Sequence, residues 1–90
     1  MTNSQMLNTA KQVALDYINN TRPAQILPYE LEDMYIVWFC KTIQNWKALV
    51  STDVVNGMYF EVTYNGDKNE TYLDVYQQKN HITVGDDKND

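Results

Sequence analysis

Read along the chain, apolar side chains first recur every three to four positions. Met6, Leu7, Ala10, Val13, Ala14, Tyr17 and Ile18 fall on one stripe of a helical wheel, with Asn8, Lys11, Gln12 and Asp16 elsewhere. This spacing predicts an amphipathic helix over residues 3–20, about 27 Å long at the usual rise per residue. Thr2 followed by Gln5 has the form of a capping box, in which the hydroxyl accepts an orphan amide and the glutamine reaches back to the cap. Asn19 and Asn20 tolerate the left-handed conformation that ends helices, and Pro23 forbids continuation.

Residues 22–33 hold two prolines and no clean period, which predicts a connection whose Ile26, Leu27, Tyr29 and Leu31 fold back over an edge of the core. From Met34 the texture becomes β-branched and aromatic. Strands are predicted at 34–42, 46–52, 58–64 and 71–77. Gln44-Asn45, Asn56-Gly57 and the run from Asn65-Gly66 through Asp67, Lys68 and Asn69 supply residues suited to tight reversals. The expected fold is therefore α+β: an N-terminal helix packed on a four-stranded antiparallel sheet in α-β-β-β-β order. Residues 1–84 form its single domain, His81 to Val84 are a candidate further edge segment, and residues 85–90 are expected to be a disordered acidic tail.

Strand side chains alternate between faces. Counting from Met34 assigns Met34, Ile36, Trp38, Cys40, Trp46, Ala48, Val50, Met58, Phe60, Val62, Tyr64, Leu73 and Val75 to the core face. The opposite face collects Tyr35, Val37, Phe39, Lys41, Lys47, Leu49, Tyr59, Glu61, Thr63, Tyr72, Asp74 and Tyr76. One helix covers one face of such a sheet, and the chain contains no second comparable helix. The second face is either solvated, with tyrosines in cross-strand pairs, or a contact surface. The candidate protein-binding residues on it are Tyr35, Phe39, Lys47, Leu49, Tyr59, Glu61, Tyr72 and Tyr76.

Composition narrows the function classes. Ninety residues with 43% hydrophobic and 21% charged side chains suit one small globular domain with a modest core, too small for the deep clefts of large cofactor enzymes. No apolar run is long enough to span a bilayer and no secretory leader is evident, so host cytoplasm is the expected location and no membrane partner is expected. The net charge of -5 arises after residue 52, and the single arginine and scattered lysines argue against direct nucleic-acid binding.

Chemistry is sparse. Cys40 is alone, so no disulfide or multi-thiolate site forms within one chain, and the alternation places it inward as a structural thiol. His81 is the only histidine, which removes His-based triads and multi-His metal sites. The run Asp67-Lys68-Asn69-Glu70 lacks the glycine and the terminal glutamate of a calcium loop and is expected to be a hairpin turn. Glu61 and Asp74 share the open face but lack the pocket that shifts carboxylate pKa values. No catalytic residue, metal ligand or cofactor is assigned, and the expectation is a protein that is not an enzyme.

Residues 37–52, with Trp38, Phe39, Cys40, Lys41, Asn45, Trp46 and Lys47, are followed by residues 57–70, with Met58-Tyr59-Phe60-Glu61-Val62 and Asn65-Gly66-Asp67. Together they resemble a family of short uncharacterised proteins encoded by phages and prophages of Gram-positive bacteria. The resemblance covers residues 35–76 and carries no activity. It implies a phage accessory gene acting inside the infected host. The leading expectation is a small phage or prophage protein that binds a host or phage protein through the aromatic sheet face, with homodimerisation possible on the same face. Two alternatives stand beside it: an acidic nucleic-acid mimic acting through Glu61, Asp67, Glu70, Asp74, Asp86 and Asp87, and a structural homo-oligomeric assembly subunit.

Overall fold

A computed structural model describes residues 2–85. One helix packs on a four-stranded antiparallel sheet of order β1-β2-β3-β4, as the sequence pattern predicts. The expected acidic tail, beyond Gly85, lies outside the described residues.

Helix α1 spans Asn3–Thr21. Its start is the capping box: the Gln5 amide donates to Thr2 Oγ1 at 3.1 Å and the Thr2 amide donates to Gln5 Oε1 at 2.7 Å. Its end differs from expectation. No residue there takes a left-handed conformation; the C-cap, Arg22, is extended, and the Thr21 hydroxyl donates back to the Tyr17 carbonyl. Asn19 is committed elsewhere, donating to the Tyr29 carbonyl at 3.1 Å and accepting from the Tyr29 amide at 2.7 Å. This clasp ties the connection to the helix, and Tyr29 and Leu31 pack against the core, whereas Ile26 and Leu27 stay exposed. A single 3₁₀ turn at Leu31–Asp33 then feeds the sheet, its last carbonyl accepting from the Thr52 hydroxyl.

The strands are β1 Met34–Thr42, β2 Asn45–Thr52, β3 Met58–Asn65 and β4 Glu70–Gln77. His81 to Val84 form no strand. The turn chemistry holds at Gly57 (φ 73°) and at Asn69 (φ 53°). The β1–β2 turn instead puts Ile43 at φ 51°, an uncommon place for a β-branched residue. Gly66 is needed for closeness: an added Cβ would lie 2.3 Å from the Gln44 carbonyl oxygen. The β1–β2 and β3–β4 turns thus sit against each other, with the Gly66 amide donating to Asn45 Oδ1 at 2.8 Å.

The core lies between α1 and one sheet face. Met6, Ala10, Ala14, Leu15 and Ile18 meet Met34, Trp46, Ala48, Val50, Phe60 and Val62, all buried. Ala10, Ala14 and Ala48 are fully covered and short, so helix and sheet approach closely. Phe60 and Trp46 fill the remaining space, the first beside Tyr17 (ring centroids 6.0 Å apart), the second stacked on Tyr64 (5.7 Å). α1 packs mainly over β1, β2 and β3. The molecule is 19 Å across its shortest dimension, room for one helix layer on one sheet and no third layer.

Strand β1 departs from simple alternation. Ile36 pairs with Val50 and Trp38 pairs with Leu49, so Val37 is an extra residue in a β-bulge. Every side chain after it changes face. Phe39 pairs with Ala48 and turns to the helix side, where its ring lies 6.0 Å from Trp46. Trp38 pairs with Leu49 and Cys40 with Lys47, which places both on the open side. The sequence expectation of an inward Trp38 and Cys40 and an outward Phe39 is reversed, because alternation counts assume one residue per partner and a bulge breaks that count.

Candidate functional site

Strand register builds the open face as three rows that run across the sheet. The first is Tyr35, Ser51, Tyr59 and Tyr76; the second Trp38, Leu49, Glu61 and Asp74; the third Cys40, Lys47, Thr63 and Tyr72. Seven of the eight candidate binding residues, Tyr35, Lys47, Leu49, Tyr59, Glu61, Tyr72 and Tyr76, lie in these rows. Phe39 does not, for the reason given above. Trp38 and Cys40, which alternation sent to the core, take its place. No residue type in the sequence marks the bulge that puts them there.

No described element packs over these rows. Trp38 is 41% exposed and Tyr76 51%, large values for aromatic side chains in a 90-residue domain, and Tyr35, Tyr72 and Cys40 are also exposed. A shallow hollow of about 460 Å³ opens toward the paired hairpin turns, with Trp38, Cys40, Lys47, Thr63 and Tyr72 among its lining residues. Its walls are mainly apolar, with Trp38 of β1 on one side, Tyr72 of β4 on the other, and Lys47 and Thr63 between them. Concave apolar surface with a few polar tips is the usual form of a binding site.

The polar groups on this face are organised around Glu61. Its carboxylate accepts from the Tyr76 hydroxyl at 3.2 Å and lies 3.5 Å from Lys47 Nζ. Asp74 stands directly opposite Glu61 in the neighbouring strand, a like-charge pair that is unfavourable on its own. Lys47 and the Tyr76 hydroxyl offset that repulsion. The Glu61 charge holds the Tyr76 phenol above the ordinary tyrosine value, helped by the hydrogen bond between them. Tyr72 donates to Glu70, and that hydrogen bond likewise raises its pKa. Both phenols therefore remain neutral donors throughout the physiological range.

Beyond this face, the Asp67 to Glu70 run is a hairpin turn as expected: the Asn65 carboxamide oxygen accepts from the Asp67 and Lys68 amides, and the Tyr64 hydroxyl donates to Asn69. Among the described residues no three metal-ligating side chains cluster, and no helix is long and apolar enough to cross a membrane.

Comparison with curated proteins finds no match, and comparison with solved structures finds none. A family model does match, over residues 7–86, which takes in α1 from its fifth residue onward, all four strands and every row of the open face. The chain accordingly belongs to DUF6275, a family of unknown function.

Proposed function

We propose that this protein is a non-enzymatic binding module that docks a protein partner on the open face of its sheet. The observation that carries this reading is the bare face itself: Trp38 and Tyr72 stand exposed beside a hollow at one end of it, Tyr35 and Tyr76 stand exposed at the other, and no described segment covers them. Tyrosine and tryptophan combine large contact area with a polar tip and few rotatable bonds, the profile of residues that dominate interface energetics. The resemblance to phage and prophage proteins supports a role as a phage accessory protein, bound to a host or phage protein in the host cytoplasm. The module needs no cofactor.

Affinity capture from a lysate of cells carrying the gene tests this, with wild type beside a Tyr72→Ser/Tyr76→Ser variant. Both side chains are exposed, so the variant keeps its fold. The expected result is one partner retained by wild type at high salt and lost by the variant. A folded variant that captures the same partner equally well removes the reading.

The acidic-mimic reading keeps one specific support: Glu61 and Asp74 side by side on the open face, with Glu70 at its edge against the single Lys47. Capture through such charges weakens steeply with salt, whereas capture through the aromatic rings persists.

A further inference from the structure

Strand β4 ends the sheet, and its outer side has no partner among the described residues. The Gln78 amide donates to the Gly57 carbonyl at 2.6 Å, which fixes the alternation along the ladder. Tyr72, Asp74 and Tyr76 direct their backbone groups at β3. Thr71, Leu73 and Val75 direct theirs at the free edge. Natural edge strands are usually blunted by bulges, prolines or lysines. The opposite edge, β1, has such devices in its Val37 bulge and Lys41. β4 has neither bulge nor proline nor lysine: its eight residues stay in unbroken register with β3, and its charges are Glu70 and Asp74, both directed to the open face. It also lies outside the main footprint of α1, and Val75 on the helix side is 36% exposed.

We infer that β4 pairs with the β4 of a second copy, antiparallel about a twofold axis at Leu73, to give one continuous eight-stranded sheet. A twofold axis normal to the sheet keeps like faces together, so one residue stands opposite its own copy with the axis between them, and charge decides which. An axis at Asp74 sets two Asp74 carboxylates directly opposite each other, and one at Tyr72 sets Glu70 against Asp74. An axis at Val75 sets Leu73 against Gln77, whose side chain already donates to the Asn56 carbonyl. Only the axis at Leu73 meets every carboxylate with a phenol ring, Tyr72 opposite Asp74 and Tyr76 opposite Glu70, while Leu73 meets Leu73 on the helix side. Two N–H···O bonds form at the Leu73 pair and two at each Thr71–Val75 pair.

Dimerisation joins the two open faces into one surface with a hollow on each half. Each copy carries a net charge of -5, so association strengthens as salt screens the repulsion.

The test uses the full chain with Cys40→Ser, carrying either Leu73→Cys or Asp74→Cys, under mild oxidation by oxidised glutathione, with sedimentation of the wild type alongside. The expected result is a wild-type dimer at concentrations up to about 1 mM, more populated at high salt, with disulfide-linked dimer from Leu73→Cys and not from Asp74→Cys. Thr71→Pro removes an outward amide without touching the β3–β4 ladder, and is expected to leave a folded monomer. A wild type that stays monomeric, a cross-link formed preferentially at position 74, or a dimer that survives Thr71→Pro overturns the inference. The cross-linking pair decides the register even if the proline variant fails to fold.

Discussion

The bulge at Val37 makes opposite demands on Cys40 from those of simple alternation, and thiol chemistry reads the difference. If Cys40 faced the helix, a reagent would reach it only when the domain opened. Small domains are stable by at least about 5 kcal/mol, so that thiol would react more than roughly 10³-fold slower in the folded protein than in the unfolded chain. The structure places Cys40 opposite Lys47 on the open face, exposed beside Trp38. Its reaction with Ellman's reagent in the folded protein is then expected to fall within about 10-fold of the unfolded rate at the same pH, the residual slowing due to partial shielding in the hollow. The assay is the absorbance of the released thiolate, recorded without and with denaturant. Deleting Val37 extends the test. With that residue gone, Ile36–Val50 and Trp38–Leu49 become consecutive pairs, so the variant is expected to unfold cooperatively and to keep a reactive Cys40. A native rate more than about 100-fold below the unfolded rate, or a Val37 deletion that buries the thiol, refutes the assigned bulge.

Ile43 is 80% exposed at φ 51°, so Ile43→Gly relieves roughly 1–2 kcal/mol of left-handed strain against about 0.5–1 kcal/mol of added chain entropy. A net gain of about 0.5–1 kcal/mol is expected in denaturant melts, and a loss of stability contradicts the strain argument. Gly66→Ala brings a Cβ within 2.3 Å of the Gln44 carbonyl oxygen and forces the two hairpin turns apart, at a cost of about 1–3 kcal/mol; an unchanged melting midpoint counts against that close approach. The Tyr76 pKa is raised chiefly by the Glu61 charge, so its contribution to stability is complete below the unfolded tyrosine value and is lost as pH rises through the folded one. Glu61→Gln is expected to move that phenol's titration to lower pH in a phenolate absorbance titration, and an unmoved curve removes Glu61 as the cause.

Much of the fold was legible because its signals are local. The α1 stripe, the Thr2–Gln5 cap and the Asn and Gly residues at the reversals each act within a few residues of themselves. The errors fall where a residue acts over distance or without a characteristic side chain. Asn19 has the chemistry of a helix terminator, yet it spends its amide on Tyr29, ten positions on. Ile43 occupies a backbone region that its propensity opposes, held there by strands paired on both sides. The open face was correctly expected on β2, β3 and β4, where polar and apolar residues alternate clearly enough to set the phase. On β1 the run Met34-Tyr35-Ile36-Val37-Trp38-Phe39-Cys40 is apolar in both phases, so counting by twos cannot detect an inserted residue.

What does choose the phase of β1 is packing. Trp46 already occupies the helix side of β2, stacked on Tyr64, under a helix that Ala10 and Ala14 draw close to the sheet. A second indole from β1 in the same layer, opposite Ala48, would push the helix away from the alanines and strip cover from Val50 and Val62. Overpacking of this kind costs typically 1–3 kcal/mol. The smaller Phe39 ring fits beside Trp46 without that displacement. One bulged residue is the smaller disturbance, since it leaves a single position of an edge strand unpaired. The same step that seats Phe39 turns Trp38 outward next to Leu49, where it forms a wall of the open hollow. That β1 presents an indole to the open face where simple alternation would present the Phe39 ring is therefore a direct consequence of how little room the helix leaves beneath it.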